Sequence, residues 1–523
     1  MKSLFKSVAL MLTLLCTGLT ASAQMEQMGQ PLPVDPNVRI GKLDNGLTYY
    51  LRHNEKPKGQ ADFYIAQKVG SILEEDNQRG LAHFLEHMCF NGTENFPGNS
   101  LIQWLESKGV KFGVNLNAIT GVDYTIYNIA NVPVADSNVQ DSVLLILHDW
   151  ADGLLLDPEE IDKERGVIHE EWRSTNVGQM RIIERLLPTM YPDSKYGNRL
   201  PIGTMEVVDN FPPQALRDYY ETWYRPDQQG IIVVGDIDVD RIEGKIKEMF
   251  GPIKMPENPK ERVYYPVPDT EGTIFAIGTD PEQTNTIVQL MIKHDVVPDS
   301  LKNTIVGYIM DYSNDVINQM LNARLAEISN RPDAPFSGAN GSVGDYILSK
   351  TKGALTLAFI PKDNDVIGGL QSIYREALRG TKGFTASEYQ RAKDEYLSRK
   401  EKRYNGRNDL DNDYYVQQYV NGFVENDYIL DPESDYQMAQ MFTAMLPVEA
   451  INQMFAEYIT PDNRVLLIVA PDGTPLPTEQ QLSDALAAVD GENIEAYVDE
   501  VKAEPLIPQL PAPGKITAEK SLA

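Results

Sequence analysis

The sequence predicts two related α/β domains in one chain. Apolar runs typical of strands alternate with helical patterns along most of its length. A twelve-residue segment at 223–234 also aligns without gaps with residues 458–469, each having an aromatic residue, Pro-Asp and a short apolar strand. A chance match is the alternative, since Pro-Asp is common turn chemistry. With the proline-rich stretch 252–268 as the link, we expect domains at 38–255 and 265–500.

The amino terminus reads as a secretory signal peptide over residues 1–23. Lys2 and Lys6 precede an apolar run over 8–15, and Ala21-Ser22-Ala23 has the small residues of a cleavage site. The polar, proline-bearing residues 24–37 then form a linker. We therefore expect a secreted protein, and no second apolar segment is long enough to span a bilayer.

Charge and cysteine content exclude several classes of protein. The formal net charge of −29 argues against binding to nucleic acid or to an anionic membrane by bulk electrostatics. Cys89 is the one cysteine beyond the signal peptide, so the mature chain has no intrachain disulfide. We expect Cys89 to be a buried small apolar residue rather than a reactive thiol.

Local patterns place the elements of each domain. In the first domain we predict strands at 47–52, 61–69, 114–127 and 230–235, and helices ending at Asn91-Gly92, over 100–108, over 142–156 and from Asp157 onward. In the second we predict helices at 300–328, 363–378, 386–405 and 447–458. Residues 501–523, rich in proline from Pro505 onward, read as an extended linker or tail.

The stretch around His83-Phe84-Leu85-Glu86-His87 indicates a metal site. On a helix His83 and His87 project from one face and can bind one ion, with Glu86 alongside. Two neutral imidazoles suit zinc, and Glu86 could act as general base toward a zinc-bound water. The alternative is a packed histidine beside a solvent-facing one, but the chain has only six histidines.

Zinc needs at least one more protein ligand, and the helix after Asp157 offers four candidates: Glu164, His169, Glu170 and Glu171. An apolar stripe of Ile161, Ile168 and Trp172 faces the core, which turns Glu170 toward water and places His169 on one flank. Glu164 and Glu171 lie together on the other flank. Geometry favours this pair, one binding metal and the other orienting a ligand, although an ordinary charged helix face remains the alternative.

These motifs resemble the pitrilysin family of inverted zinc peptidases, which includes the insulin-degrading and mitochondrial processing peptidases. The resemblance rests on His83-x-x-Glu86-His87 and on the segment from Glu164 to Glu171. It implies Zn²⁺ as cofactor, Glu171 as third ligand and Glu164 as its neighbour. It also implies an α+β fold in which each domain is a mostly antiparallel sheet packed with helices.

The resemblance extends to substrate binding. Asn117-Ala118-Ile119-Thr120 is similar to the family's Asn-Ala-x-Thr segment, on the edge strand where substrate backbone pairs as an added strand. Asn117 and Ala118 would then align the substrate. The run from Gly80 to Gly98 looks most like large periplasmic members of bacteria, whose chains hold two such halves.

One departure from the family concerns closure over the substrate. Active members carry an Arg and a Tyr seven residues apart in a non-catalytic domain, whereas the corresponding region here has Arg331 and Phe336. Either the pair comes from elsewhere or closure works differently. Together with the predicted linker at 501–523, the departure suggests that a second half or partner subunit closes the chamber. We predict a periplasmic or secreted zinc endopeptidase for peptides or unfolded segments. The alternative is a peptide-binding or scaffold subunit that needs a partner half.

Overall fold

The computed structural model describes residues 29–500, together with 507, 514 and 515. The predicted signal peptide at 1–23 and most of the predicted tail at 501–523 lie outside these residues. The described chain has an α+β fold with two sheets, each packed with helices. This confirms the predicted fold class.

The first sheet has six strands, in the order β1-β2-β6-β3-β5-β4. Their bounds are β1 Arg39–Lys42, β2 Thr48–His53, β3 Gln60–Gln67, β4 Leu116–Thr120, β5 Thr125–Pro133 and β6 Gln229–Gly235. Strand β6 is wholly buried, runs parallel to β2 and is antiparallel to β3. Strand β4 lies at the edge and pairs with β5.

The second sheet repeats this arrangement with five strands, in the order β7-β11-β8-β10-β9. The strands are β7 Thr273–Asp280, β8 Ile287–His294, β9 Phe336–Tyr346, β10 Ser349–Pro361 and β11 Arg464–Pro471. Strand β11 is parallel to β7 and antiparallel to β8, as β6 is to β2 and β3. The two copies of the recurring segment therefore lead into equivalent strands, β6 and β11. The two domains share one strand topology, as the recurring segment predicts.

Helices connect the strands in the same sequence in both domains. The first domain has α1 Leu81–Met88, α2 Ser100–Ser107, α3 Ser137–Asp152, α4 Pro158–Thr175, α5 Gly178–Met190, α6 Met205–Asn210, α7 Pro213–Trp223 and α8 Val239–Phe250. The second has α9 Asp299–Lys302, α10 Ile305–Ser329, α11 Val366–Gly380, α12 Ala386–Asn405, α13 Asn412–Val424, α14 Pro432–Met445, α15 Val448–Glu457 and α16 Glu479–Asp490. None of these helices is long and apolar enough to cross a membrane.

The two domains exchange equivalent helices across their junction. Helix α5 packs against strand β7 of the second sheet, where Ile182 lies directly over Gly278. Helix α13 packs against β3 and β6 of the first sheet, where the ring of Phe423 lies over Gly230. A side chain at either glycine would overlap the crossing residue, so these positions allow each helix to approach the other domain's sheet.

Three local predictions differ from the structure. The strand predicted over 114–127 is a hairpin of β4 and β5, because Gly121 and the residues after it turn the chain. The helix predicted at 142–156 begins earlier, at Ser137, where the Asp136 side chain caps it by accepting from Asn138 N–H. The helix predicted at 300–328 is interrupted before Thr304, whose hydroxyl caps α10.

Candidate metal centre

Helix α1 is short, and its apolar side holds it in the core. Leu81, Phe84, Leu85 and Met88 are all buried. Gly80 precedes the helix with φ of 105°, a conformation that favours glycine. The buried carboxyl group of Glu74 accepts a hydrogen bond from Ala82 N–H at 2.8 Å. The start of α1 is therefore held by a side chain from an earlier loop, which orients the turn that follows.

The two histidines of α1 lie one above the other on its opposite side. The ring centroids of His83 and His87 are 4.8 Å apart, with the rings inclined at 75°. Both side chains are largely buried. Their helical spacing thus brings two imidazoles together, facing away from the apolar core.

Helix α4 supplies the carboxylates opposite these imidazoles. Asp157 caps it by accepting from Glu159 N–H at 2.8 Å, and Ile161 and Ile168 anchor it in the core. Arg165 fixes its position further: its guanidinium donates to Phe211 O at 2.8 Å and stacks on the Phe211 ring. That ring also packs edge-on against Phe84 of α1, with centroids 4.9 Å apart.

Glu171 faces both histidines at once. Its carboxylate oxygens lie 3.4 Å from His83 Nε2 and 3.2 Å from His87 Nε2. Glu164 instead contacts the other ring nitrogen of His87, Nδ1, at 2.7 Å, and accepts a hydrogen bond from Asn91. The structure thus gives the two glutamates different positions, with Glu171 on the open side of the rings and Glu164 behind His87.

This donor set fits zinc. Two ligand atoms of a tetrahedral zinc ion lie about 3.4 Å apart, since each bond is about 2.1 Å long. The distances from Glu171 to the two Nε2 atoms match this separation, and donor atoms of all three residues lie within 4.8 Å of one another. Metal-binding histidines commonly have a carboxylate on the ring nitrogen that does not bind the metal, and Glu164 occupies this position at His87.

Electrostatics favour positive charge at this point. Burial alone would lower the pKa of His87, but its contacts with Glu164 and Glu171 outweigh burial and raise that pKa to about 9. Contacts with His83 and His87 in turn lower the pKa of Glu171 well below its ordinary value. The contacts of His87 with Glu164 and Glu171 therefore favour a positive charge at this point.

Glu86 projects from the same turn and lines a cavity next to the histidine pair. Thr120 at the end of β4 donates a hydrogen bond to Glu86 Oε2 at 2.5 Å. The cavity, about 300 Å³, is lined by His83, Glu86 and Glu171 together with apolar side chains such as Met180 and Ile202. It opens beside the edge strand that carries Asn117 and Ala118.

Two of the four candidates on α4 lie away from this cluster. His169 pairs with Asp209, and the exposed Glu170 pairs with Arg173.

Sequence reasoning missed three residues that contribute to the site, Asn91, Thr120 and Arg165. Thr120 and Arg165 stand inside segments that had been singled out, yet their partners lie on other elements. Asn91 meets Glu164 across 73 residues, and no spacing rule signals that contact.

Comparison with known proteins decides the family. Residues 49–201 match the model described as Insulinase (Peptidase family M16), and residues 210–396 match the Peptidase M16 inactive domain. The chain belongs to the M16 peptidase family. Its M16 relatives include the probable zinc protease PqqL of Escherichia coli, 28% identical over 87% of this chain and 48% of that protein. A zinc protease PQQL-like protein of Arabidopsis thaliana is 34% identical over 57% of this chain and 31% of its own.

The M16 fold is also evident from solved structures. The first half of the periplasmic protease PqqL from Escherichia coli matches with a TM-score of 0.80 and 25% identity, over 90% of this chain and 100% of that one. Pitrilysin matches with a TM-score of 0.65 over 92% of this chain and 51% of its own, a likeness in fold. This chain thus spans about half the length, or less, of these curated relatives.

Proposed function

We propose that this M16 chain is a zinc-dependent endopeptidase that hydrolyses peptides or unfolded segments in the periplasm or outside the cell. The observation that carries the proposal is the position of Glu171 against both Nε2 atoms of the histidine pair, with Glu86 on the cavity side. Relatives named as zinc proteases support the same chemistry.

In this proposal His83, His87 and Glu171 hold the Zn²⁺. A bound zinc ion makes water more acidic and polarises a substrate carbonyl. Glu164 keeps a proton on His87 Nδ1, which leaves the Nε2 lone pair for the metal. Its hydrogen bond with Asn91 holds the Glu164 carboxylate in the required orientation.

Glu86 is the proposed general base. It takes a proton from the attacking water and delivers it to the departing amine. Thr120 donates to Glu86 Oε2, so we assign the proton transfer to Oε1. Because Thr120 ends the strand that carries Asn117 and Ala118, the base is positioned against the proposed substrate-binding strand.

Strand β4 is suited to receive an extended peptide. It is an edge strand of its sheet, so its free edge can pair with substrate backbone. Asn117 and Ala118 lie on it, and Ile119 is 57% exposed beside them. A peptide added here would pass the cavity that contains Glu86.

A second candidate function is a peptide-binding subunit that requires a partner half for turnover. The observation that favours it is length, because the chain covers 48% of the PqqL protein and matches the structure of that protein's first half. In this case the zinc site is complete, while the enclosing chamber requires a second half or partner subunit.

The test is a panel of fluorogenic peptides with Glu86→Gln and, as control, Glu170→Gln. Glu170 is an exposed carboxylate on α4 that pairs with Arg173, so its loss should leave cleavage unchanged. We expect Glu86→Gln to retain zinc, measured by metal analysis, and to lose cleavage by at least about 100-fold.

Full activity of Glu86→Gln would contradict the mechanism. A wild-type chain that holds zinc and binds peptides without cleaving any of them would favour the second candidate. Full cleavage by the isolated monomeric chain would contradict the need for a partner half.

A further inference from the structure

We propose that the chain has a second divalent-cation site, formed by His53, Glu55 and Asp236. Among the described residues, two groups of three histidine or carboxylate side chains have donor atoms within 4.8 Å of one another, and this is the group outside the M16 centre. His53 ends β2, and Asp236 directly follows the parallel strand β6. The proposal does not depend on the function proposed above.

The hydrogen bond of His53 fixes which nitrogen faces the carboxylates. His53 Nδ1 lies 3.0 Å from the backbone carbonyl oxygen of Ile237. A carbonyl oxygen only accepts, so Nδ1 carries a proton and Nε2 is the nitrogen left to bind an ion. This is the arrangement that orients most metal-binding histidines, with the outer nitrogen bound to a backbone carbonyl or a carboxylate.

The distance from His53 to Glu55 fits two ligands of one ion. His53 Nε2 lies 3.6 Å from Glu55 Oε1, longer than a hydrogen bond and close to the separation of about 3.4 Å between zinc ligands. A cation at Nε2, either the ring's own proton or a divalent metal ion, makes this contact favourable, so a metal ion would take the place of that proton. One imidazole and two carboxylates are a mixed donor set that suits Zn²⁺ among the common divalent ions.

Asp236 is held in place by the loop that follows β2. Its Oδ2 accepts a hydrogen bond from Gly59 N–H at 2.9 Å. The same loop contacts the second domain, where Asn412 at the start of α13 donates its backbone N–H to Lys56 O at 2.9 Å. A bound ion would therefore connect the ends of β2 and β6 beneath a loop that supports the junction between the domains.

Lys58 provides an internal competitor for the ion. Its Nζ lies 3.6 Å from Glu55 Oε2, so the ammonium group partly neutralises the carboxylate that the ion would use. If Glu55 binds an ion, removing the Lys58 ammonium group should strengthen metal binding. If the Lys58–Glu55 pair serves only the structure of the loop, its removal should leave metal binding unchanged.

The experiment measures Zn²⁺ bound per chain by equilibrium dialysis and metal analysis. We expect two ions for the wild type, one for His53→Gln, one for the double variant His83→Gln/His87→Gln, and none for the triple variant. The matched control is His169→Gln, which removes another exposed histidine beside a carboxylate, Asp209, and should leave two ions.

A second readout separates binding from folding. In the double variant Zn²⁺ should raise the melting temperature, His53→Gln should abolish that rise, and Lys58→Ala should lower the Zn²⁺ concentration needed for it. A wild-type chain with one ion, or His53→Gln with the wild-type number, would overturn the second site while leaving the M16 centre intact.

Discussion

The same pair of helices meets in two different ways in the two domains. In the first domain α1 and α4 meet through His83, His87 and Glu171, whose donor atoms lie within 4.8 Å of one another. In the second domain α10 and α12 meet through Arg324, whose guanidinium donates to Glu388 at 2.6 and 2.9 Å. Arg324 is 2% exposed, so this pair is buried within its domain.

The second domain thus has a guanidinium facing its carboxylates where the first has two imidazoles facing Glu171. Glu376 of α11 also lies 3.5 Å from Arg324, so two carboxylates surround one fixed guanidinium. No cluster of three possible metal ligands occurs in the second domain over residues 265–500. Carboxylates that already face a permanent cation have no need of a metal ion.

We expect the largest loss of Zn²⁺ affinity from substitution of Glu171 in the first domain. Glu171→Gln should weaken Zn²⁺ binding by at least about 1,000-fold, more than loss of an outer partner, because Glu171 faces both Nε2 atoms. Isothermal titration with Zn²⁺ measures this. The matched control is Arg399→Gln in the second domain, which breaks the exposed pair with Asp315. Unchanged affinity in Glu171→Gln would remove it from the metal centre.

Substitution of the equivalent contact in the second domain, at Arg324, should change stability and leave metal binding unchanged. Arg324→Met leaves Glu388 and Glu376 buried without their cation and should lower the free energy of unfolding by about 3–5 kcal/mol. Urea denaturation measures the loss, and Zn²⁺ affinity should be unaffected in the folded variant. A drop in Zn²⁺ affinity would mean that the two domains are coupled more closely than their separate centres indicate.

Substitution of Glu164 should lower the Zn²⁺ affinity of the first domain by less than substitution of Glu171. Glu164→Gln keeps the side-chain size but weakens the bond to His87 Nδ1, so Zn²⁺ affinity should fall by about 10–100-fold. Competition with a chelator of known affinity measures the change. Equal losses in Glu164→Gln and Glu171→Gln would contradict the distinct positions assigned to the two carboxylates.

The smallest effect concerns how the two equivalent helices begin. Thr304 caps α10, whereas the buried carboxyl group of Glu74 binds Ala82 N–H in α1. Burial raises the pKa of Glu74 to about 8, although the bond from Ala82 favours the charged form. The folded state thus holds a proton that the unfolded state releases, so the wild type should lose stability as pH rises from about 5 to 8.

Glu74→Gln should remove this pH dependence because its amide oxygen still accepts from Ala82 and does not ionise. Relative to the variant, the wild type should lose at least about 1.4 kcal/mol between pH 5 and pH 8, the value of one pKa unit. Urea denaturation at the two pH values measures the difference. Parallel pH profiles for the two proteins would show that Glu74 is ionised in the folded state.

Much of the architecture was predictable because it rests on local patterns. The predicted helix at 386–405 has those bounds in the structure, where Thr385 and Glu388 form a capping box. Several helices were not predicted: α5, α6, α7, α8, α13, α14 and α16. Of these, α5 and α13 cross to the other domain's sheet, so their apolar residues serve a core that their neighbours in sequence do not share. Cys89 is buried, as expected of a small apolar residue.

The sequence by itself determined the family resemblance, the recurring strand and the helical face shared by His83 and His87. These follow from helical periodicity and turn chemistry, which act over a few residues. Only the tertiary structure decided which of Glu164 and Glu171 faces both imidazoles, and that Thr120 reaches Glu86. Two glutamates seven residues apart are equivalent on an isolated helix, and only the docking of α4 against α1 gives them different partners.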